Sequence, residues 1–404
     1  MFGALAEGPS HFTGFLEAED CVRTLEAFRA MGVPIMWKPG SGEVTVQGVG
    51  MQGLKPAAGE LDLGNSGTSM RLLLGILAGQ RFEVTMTGDA SLCSRPMKRV
   101  TQPLKQMGAQ IKGRDQANFA PLTIRGGNLH GIEFENKLGS AQVKSALLLA
   151  GMYGSGPTRI HEWLPSRDHT ERMMQACGAR FQQDGNILQI EATERLKPFD
   201  MIVPGDISSA AFFIAGAAMI PGSELTIEKV GLNPLRTGIV NVLKRMGAKI
   251  DMKLAAAHPE PIGTLQIVGC KLKGTRITKE EIPSLIDELP ILMIAMALAE
   301  GESLITGAEE LRVKETDRIH SMVHNLQGLG AQIEELPDGC LIRGVEHFHA
   351  GTAESFGDHR TAMSFAMASL CASGPIQIDG IECIATSFPN FFDHFEALRG
   401  AGKG

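Results

Sequence analysis

Apolar runs, short polar heads and alternating strand-like stretches follow one another along this chain on a fixed beat. One phrase joins the end of an amphipathic helix to a glycine and then to an alternating stretch. It recurs as AFRAMGVPI, LKQMGAQI, MMQACGARF, VLKRMGAKI, LQGLGAQI and a degenerate EALRGAG. The central glycines are Gly32, Gly108, Gly178, Gly247, Gly330 and Gly400, a spacing of roughly 70 residues. That period is too long for a common solenoid and suits one supersecondary unit per copy. Each phrase predicts a helix, a glycine closing it, and a strand.

A second phrase keeps the same beat: an apolar helix, a glycine, then an alternating strand. Its copies include FGALAEGPSHFTGF, LLLGILAGQRFEVTM, ALLLAGMYGSGPTRI, FFIAGAAMIPGSELTI, LMIAMALAEGESLIT and MSFAMASLCASGPIQID. Together the two phrases predict an α/β chain whose repeats read roughly β-α-β-α-β-β. Six copies divide three and three, giving lobes over residues 1–203 and 204–404. The midpoint falls near Val203-Pro204-Gly205-Asp206, with no long linker. In the other copies the polar head precedes the exit glycine by roughly 15 residues. Counting back from Gly8 puts the first head, and the strand feeding it, ahead of Met1.

Composition narrows the classes. The chain has 404 residues, 43% apolar and 21% charged, as in an ordinary globular protein. A net charge of -7 gives no global pull toward nucleic acid or an anionic membrane, so any anion site must be a local cluster of cations. The seven cysteines are scattered, without C-x-x-C, which argues against a zinc site or disulfide framework and fits a cytoplasmic protein. The longest apolar run, AAFFIAGAAMI, is about half a membrane span and reads as a core helix.

The polar heads carry the chemistry. They are GNSGTSMR, GSAQVKSA, GDISSAA, PSLIDELP and GDHRTAM. A helix N-terminus presents free N–H groups and partial positive charge, so cations are disfavoured there unless an anion lies between them. SLCSRPMKRV offers Ser94 as an N-cap, with Arg95, Lys98 and Arg99 in the first turn. RVKETDRIHSMV sets Lys314 and Arg318 four apart on one helix face, with Glu315 and Asp317 beside them. GDHRTAM adds His359 and Arg360. GNSGTSMR offers Asn65, Ser66, Thr68 and a small Gly67 that admits close approach. GDISSAA has capping groups and no cation, so the positive heads are not a habit of the repeat. Anionic ligands carrying phosphates or carboxylates explain them. In PSLIDELP, Asp287 and Glu288 precede a buried run, as a helix cap or as a general-base candidate. His320 and His324 have metal spacing but no third ligand placed beside them, and P-loop, dinucleotide and acyl-serine signatures are absent.

In order and composition, LGNSGTSMR, SRPMKRV, GSAQVKSALLLAG, LPSRDHTE, IDELPIL, RVKETDR and GDHRTAMSF resemble the 5-enolpyruvylshikimate-3-phosphate synthase family over residues 1 to about 395. The resemblance implies the enolpyruvyl transferase fold, a two-lobed inside-out α/β barrel. Each lobe has three β-α-β-α-β-β repeats with pseudo-threefold symmetry. It also implies transfer of an enolpyruvyl group from phosphoenolpyruvate to shikimate 3-phosphate by a monomer, with no cofactor, metal, nucleic acid or membrane involved. Shikimate 3-phosphate would be held by Ser140, Ala141, Gln142, Ser166, Arg167, Asp287 and Lys314. Phosphoenolpyruvate would meet Asn65, Gly67, Arg95, Gln142, Arg318, His359 and Arg360. Asp287 would take the 5-hydroxyl proton, and Glu315 beside Lys314 would move protons at the methylene carbon.

A sister family, the UDP-N-acetylglucosamine enolpyruvyl transferases, places a cysteine five residues before the Arg-Pro pair, where this chain has Ala90. A sliding-clamp-like ring would spread basic residues along helices instead of massing them at helix starts. The family's Pro-Gly-x-Lys-Ser stretch and the following Arg are not in the sequence, which sets the expectation of a short first repeat, one strand fewer in the C-terminal lobe and little activity for the chain as written. Thr386 stands where many members have lysine, a mark of one branch. Gly67, alanine in some glyphosate-tolerant members, implies sensitivity to glyphosate.

Overall fold

Five of the six recurring glycines close a helix in the computed structural model, which describes residues 1–401. Gly32, Gly108, Gly178, Gly247 and Gly330 all have positive φ, between 75° and 107°. They follow the helices Glu19–Ala30, Lys98–Gln106, His169–Ala176, Gly238–Arg245 and Arg318–Gly328, and each is followed by a strand. Glycine reaches this backbone region without the Cβ clash that other residues meet, so it turns the chain out of the helix. The degenerate copy differs: Gly400 lies inside the helix Phe391–Ala401.

The chain divides into two compact units, Met1–Val203 and a second beginning at Pro204. The first unit holds three four-stranded sheets of one design. A short outer strand runs parallel to its neighbour, and the next two are antiparallel. Thus Leu61–Asp62 pairs with Glu83–Thr87, then Phe119–Arg125 and Gln110–Gly113. Glu133–Asn136, Thr158–Glu162, Ile187–Ile190 and Phe181–Asp184 repeat that order. In the remaining sheet the parallel strand comes from the far end of the unit, Met201–Ile202 against Glu7–Thr13. In the second unit Arg276–Ile277, Glu302–Ile305, Gly339–Arg343 and Gln332–Leu336 form a sheet of the same design. A three-stranded sheet and the parallel pair Gly351–Glu354 and Ile376–Asp379 complete it among the described residues.

The apolar helices lie at the centre of each unit, with the sheets outside. Val143–Gly151 of the helix Ala141–Gly151, and all of Leu289–Ala297, are buried without interruption. By contrast, the strand Glu83–Thr87 alternates between buried and partly or fully exposed residues, with one face on this core. The helix Gly67–Ala78 packs on Ala141–Gly151 at Gly75, where a Cβ would overlap the carbonyl oxygen of Ala146. In the second unit Ile207–Met219, Leu289–Ala297 and His359–Ala368 pack pairwise on one another. Each buried Leu, Ile or Met in such a core contributes roughly 1.5–3 kcal/mol relative to exposure. The consequence for function is that the central helices are packed into the core along their length, and their N-terminal ends carry the polar heads.

Candidate active site

Four of the heads begin with a side-chain cap, Asp206 accepting from the amide of Ser209 in GDISSAA. The hydroxyl of Ser66 accepts from the amide of Ser69, Ser140 from Val143, and Asp358 from both Arg360 and Thr361. Each cap satisfies an otherwise orphaned N–H and leaves the neighbouring N-terminal residues placed for a ligand.

Two expected helix starts differ from their sequence reading. Ser94 ends a short helix, Ala90–Ser94, and its hydroxyl donates back to the Ser91 carbonyl at 2.7 Å. Pro96 disfavours helical geometry at the residue before it, so Arg95 is extended and only Lys98 and Arg99 enter the first turn of Lys98–Gln106. Lys314 and Arg318 do not share a helix face either. Asp317 caps the helix that begins at Arg318 by accepting from His320, and Lys314 lies outside it.

In the first unit Arg95, Asn65, Gly67 and Gln142 converge. Arg95 donates to the side-chain oxygen of Asn65 and, at 3.2 Å, to its carbonyl. Asn65 donates in turn to Asp89 at 2.7 Å. Gln142 is held at both ends, accepting from Arg71 at 2.7 Å and donating to Thr68 at 3.0 Å. A Cβ on Gly67 would stand 2.9 Å from Arg71 Nη1 and 3.4 Å from Arg95 Nη1, so the missing side chain is what lets the Arg71 guanidinium come this close, with Arg95 at contact distance beside it.

Ser166 and Arg167 follow the strand Thr158–Glu162. Ser166 is buried and donates to Glu162 at 2.5 Å. Beneath it lies Lys144, whose side chain is 0% exposed, bound to Glu162 at 3.1 Å and Glu171 at 2.6 Å. Sequence reasoning passed over Lys144, although a lysine in the otherwise apolar stretch VKSALLLAG was its signal. Arg71 gave the same kind of signal on the Gly67–Ala78 helix.

In the second unit Arg318 is the hub, 1% exposed and facing three carboxylates. Its Nε donates to Asp358 at 2.7 Å, Nη1 to Asp287 at 3.2 Å and Nη2 to Glu315 at 2.6 Å. Burial alone would lower the guanidinium pKa, but Asp358, then Glu315 and Asp287, raise it overall and keep it charged. Lys314 reaches the same Asp287 oxygen at 3.4 Å, and Arg360 donates to the Asp287 carbonyl at 3.1 Å. The spacing of RVKETDR therefore brings Lys314 and Arg318 together through a shared acid.

Neither Asp287 nor Glu288 caps the helix Leu289–Ala297. Asp287 joins the cations, while Glu288 is buried and accepts from Ser208, itself bound by Arg236 at 2.5 Å. His359 is not a cation near neutral pH. Burial, then the neighbouring charge of Arg360, lowers its pKa to about 4. That leaves Arg360 as the charge of that head.

The arrangement in each unit can bind anions, and the second also offers paired acids for proton transfer. Among the described residues, no group of three His, Cys, Asp or Glu is placed to hold a metal ion, and His320 lies instead 3.2 Å from Glu335. Among the described residues no helix is long and apolar enough to cross a membrane.

Comparison with known proteins points the same way. The family model described as EPSP synthase (3-phosphoshikimate 1-carboxyvinyltransferase) matches residues 1–395. The chain is 50% identical to the 3-phosphoshikimate 1-carboxyvinyltransferase of Alkaliphilus metalliredigens, over 98% of its own length and 93% of the relative's. It is 52% identical to the protein of that name from Alkalilimnicola ehrlichii, covering 97% and 88% respectively. Among solved structures it is similar to EPSP synthase from Acinetobacter baumannii, with a TM-score of 0.88 and 48% identity over 98% of this chain and 92% of that one. Neither the sister transferase nor a clamp-like ring is favoured by these matches.

Proposed function

The chain belongs to the EPSP synthase family, and on that premise we propose how its residues divide the work. Its activity is that of a 3-phosphoshikimate 1-carboxyvinyltransferase in the shikimate pathway to chorismate and the aromatic amino acids. The enolpyruvyl group of phosphoenolpyruvate passes to the 5-hydroxyl of shikimate 3-phosphate, and phosphate leaves.

Asp287 accepts the 5-hydroxyl proton as that oxygen attacks C2 of phosphoenolpyruvate. A proton delivered to the methylene carbon completes a tetrahedral adduct. Removal of a proton from the resulting methyl group re-forms the double bond as phosphate departs. Glu315, beside Lys314, handles the proton at carbon. Ser140, Ala141, Gln142, Ser166, Arg167, Asp287 and Lys314 bind shikimate 3-phosphate. Asn65, Gly67, Arg95, Gln142, Arg318, His359 and Arg360 bind phosphoenolpyruvate. Such catalysis rests on positioning, electrostatics and proton transfer by fixed groups.

The observation that carries this assignment is the single Asp287 oxygen within 3.2 Å of Arg318 and 3.4 Å of Lys314. Two cations beside the base offset the charge on a hydroxyl oxygen as its proton leaves. Arg318 already faces three acids, so an anionic ligand must displace or share one of them.

We further propose a cytoplasmic, glyphosate-sensitive monomer. Gly67 supports sensitivity because a side chain there would crowd Arg71 and touch Arg95, and the seven free cysteines suit a reducing compartment. The test is release of phosphate from shikimate 3-phosphate and phosphoenolpyruvate, with and without micromolar glyphosate, alongside sedimentation of the protein. Phosphate release that needs both substrates and is blocked by the inhibitor supports the reading, and such turnover runs against the little activity expected from the sequence. Release that ignores shikimate 3-phosphate overturns the residue assignment, and full activity with glyphosate present overturns the sensitivity.

A further inference from the structure

Lys144 is the largest commitment of buried charge in the first unit that the proposed reaction does not use. It sits on the first turn of the helix Ala141–Gly151, one turn inside the Ser140-Ala141-Gln142 head. Its ammonium is withdrawn from water and bound to Glu162 through both oxygens, at 3.1 and 3.2 Å, and to Glu171 at 2.6 Å. Glu162 ends the strand Thr158–Glu162, and Glu171 lies in the first turn of His169–Ala176. The ammonium thus ties three elements at the point where the 163–168 segment leaves the sheet.

Two of its contacts reach Ser166. The ammonium donates to the Ser166 carbonyl at 3.2 Å, and the Ser166 hydroxyl donates to Glu162 at 2.5 Å. Ser166 is therefore gripped by its backbone and its side chain through one network, and Arg167 is the next residue. A second tether runs alongside, with Thr170 donating to Ser145 at 2.7 Å across the same two helices. A buried lysine in a helix core is costly unless paired, and an apolar residue would serve packing alone at less cost.

We propose that Lys144 is a positioning residue for shikimate 3-phosphate: acting through Glu162, it fixes Ser166 and Arg167 relative to the Ser140-Ala141-Gln142 head. This rests on the reading of Ser166 and Arg167 as phosphate-binding residues. Lys144 touches no substrate itself. Its effect falls on one substrate, because its partners lie beside the residues assigned to shikimate 3-phosphate and none of them holds Arg95 or Asn65.

The test measures both KM values, kcat, and calorimetric binding of shikimate 3-phosphate alone. Lys144→Met leaves two buried acids without their cation and can fail to fold. A neutral variant, Lys144→Met with Glu162→Gln and Glu171→Gln, removes all three charges while nearly keeping their volumes. Glu171→Gln alone keeps the Ser166 contacts and serves as the control. In the neutral variant the KM and dissociation constant for shikimate 3-phosphate should rise on the order of 10- to 100-fold, with the KM for phosphoenolpyruvate within about two-fold. The control should keep both KM values.

A purely structural role predicts a lower melting temperature and a lower kcat in proportion to the folded fraction, with both KM values unchanged. That result overturns the proposal, as does an equal rise in both KM values. Ser166→Ala and Arg167→Gln separate the two layers. If neither weakens shikimate 3-phosphate binding, the site reading fails and the proposal falls with it. If they weaken binding and the neutral variant does not, only the role of Lys144 is lost.

Discussion

Asp287 gives the sharpest residue-scale expectation, because its neighbours hold it by charge and its own side chain supports no helix cap. Asp287→Asn keeps size and loses the base. Phosphate release should fall on the order of 10²- to 10⁴-fold in kcat, well beyond the stability lost as Arg318 faces one charged acid fewer. A variant within a few-fold of the parent would remove Asp287 from the proton step. Gly67→Ala probes the other unit. The added methyl meets Arg71 at 2.9 Å, so that guanidinium must shift away from Gln142 or past it, and it comes into contact with Arg95 at 3.4 Å. The KM for phosphoenolpyruvate should rise several-fold while that for shikimate 3-phosphate moves less, and equal movement of both would contradict the assignment. At this scale the sequence showed which residue types were out of place at helix starts. It could not show that Arg318 faces three acids at once, because Asp287 and Asp358 arrive from elements 31 and 40 residues away. It missed Lys144 for the same reason, since Glu162 and Glu171 come from a separate strand and helix.

At the scale of elements, the glycine beat was legible because a left-handed residue leaves a local signature. Ser94 was misread because the following proline acts on the residue before it, and a short helix ending there looks like a cap in sequence. The same local physics distinguishes two substitutions of one kind. Gly247→Ala meets only its positive φ of 105°, with nothing within 4 Å of the new Cβ. Gly330→Ala meets a φ of 85° and also places its Cβ 2.6 Å from His349 Nδ1. Both should lower stability by about 1–2 kcal/mol through the backbone, with Gly330→Ala the worse, as read by urea unfolding. Equal losses would mean that His349 moves aside freely. Asp358→Ala should cost more than either, about 3–5 kcal/mol, because it removes a cap and also leaves Arg318, 1% exposed, without one of its acids.

For the molecule as a whole, six repeats could be counted from sequence because one helix-and-glycine phrase recurs in each, and five of those glycines turn the chain out of a helix. The pairing of Met201–Ile202 with Glu7–Thr13 could not, since two residues carry no periodicity and the partner strand lies at the other end of the unit. One group at a head also links local chemistry to stability. The pKa of His359 is about 4 in the folded chain, against 6.5 for an ordinary histidine. Below 6.5 the unfolded chain takes up a proton that the folded chain refuses, so stability is lost as pH falls from 6.5 toward 4. Between pH 7 and pH 5 this one group should cost about 2 kcal/mol. Other acids titrate in the same range, so the measurement is a difference. Urea unfolding of the parent and of His359→Asn at both pH values should show a shallower loss in the variant by that amount. Parallel losses would mean that the His359 ring takes a proton as readily in the folded chain as in the unfolded one, and that its head presents two cations to phosphoenolpyruvate instead of one.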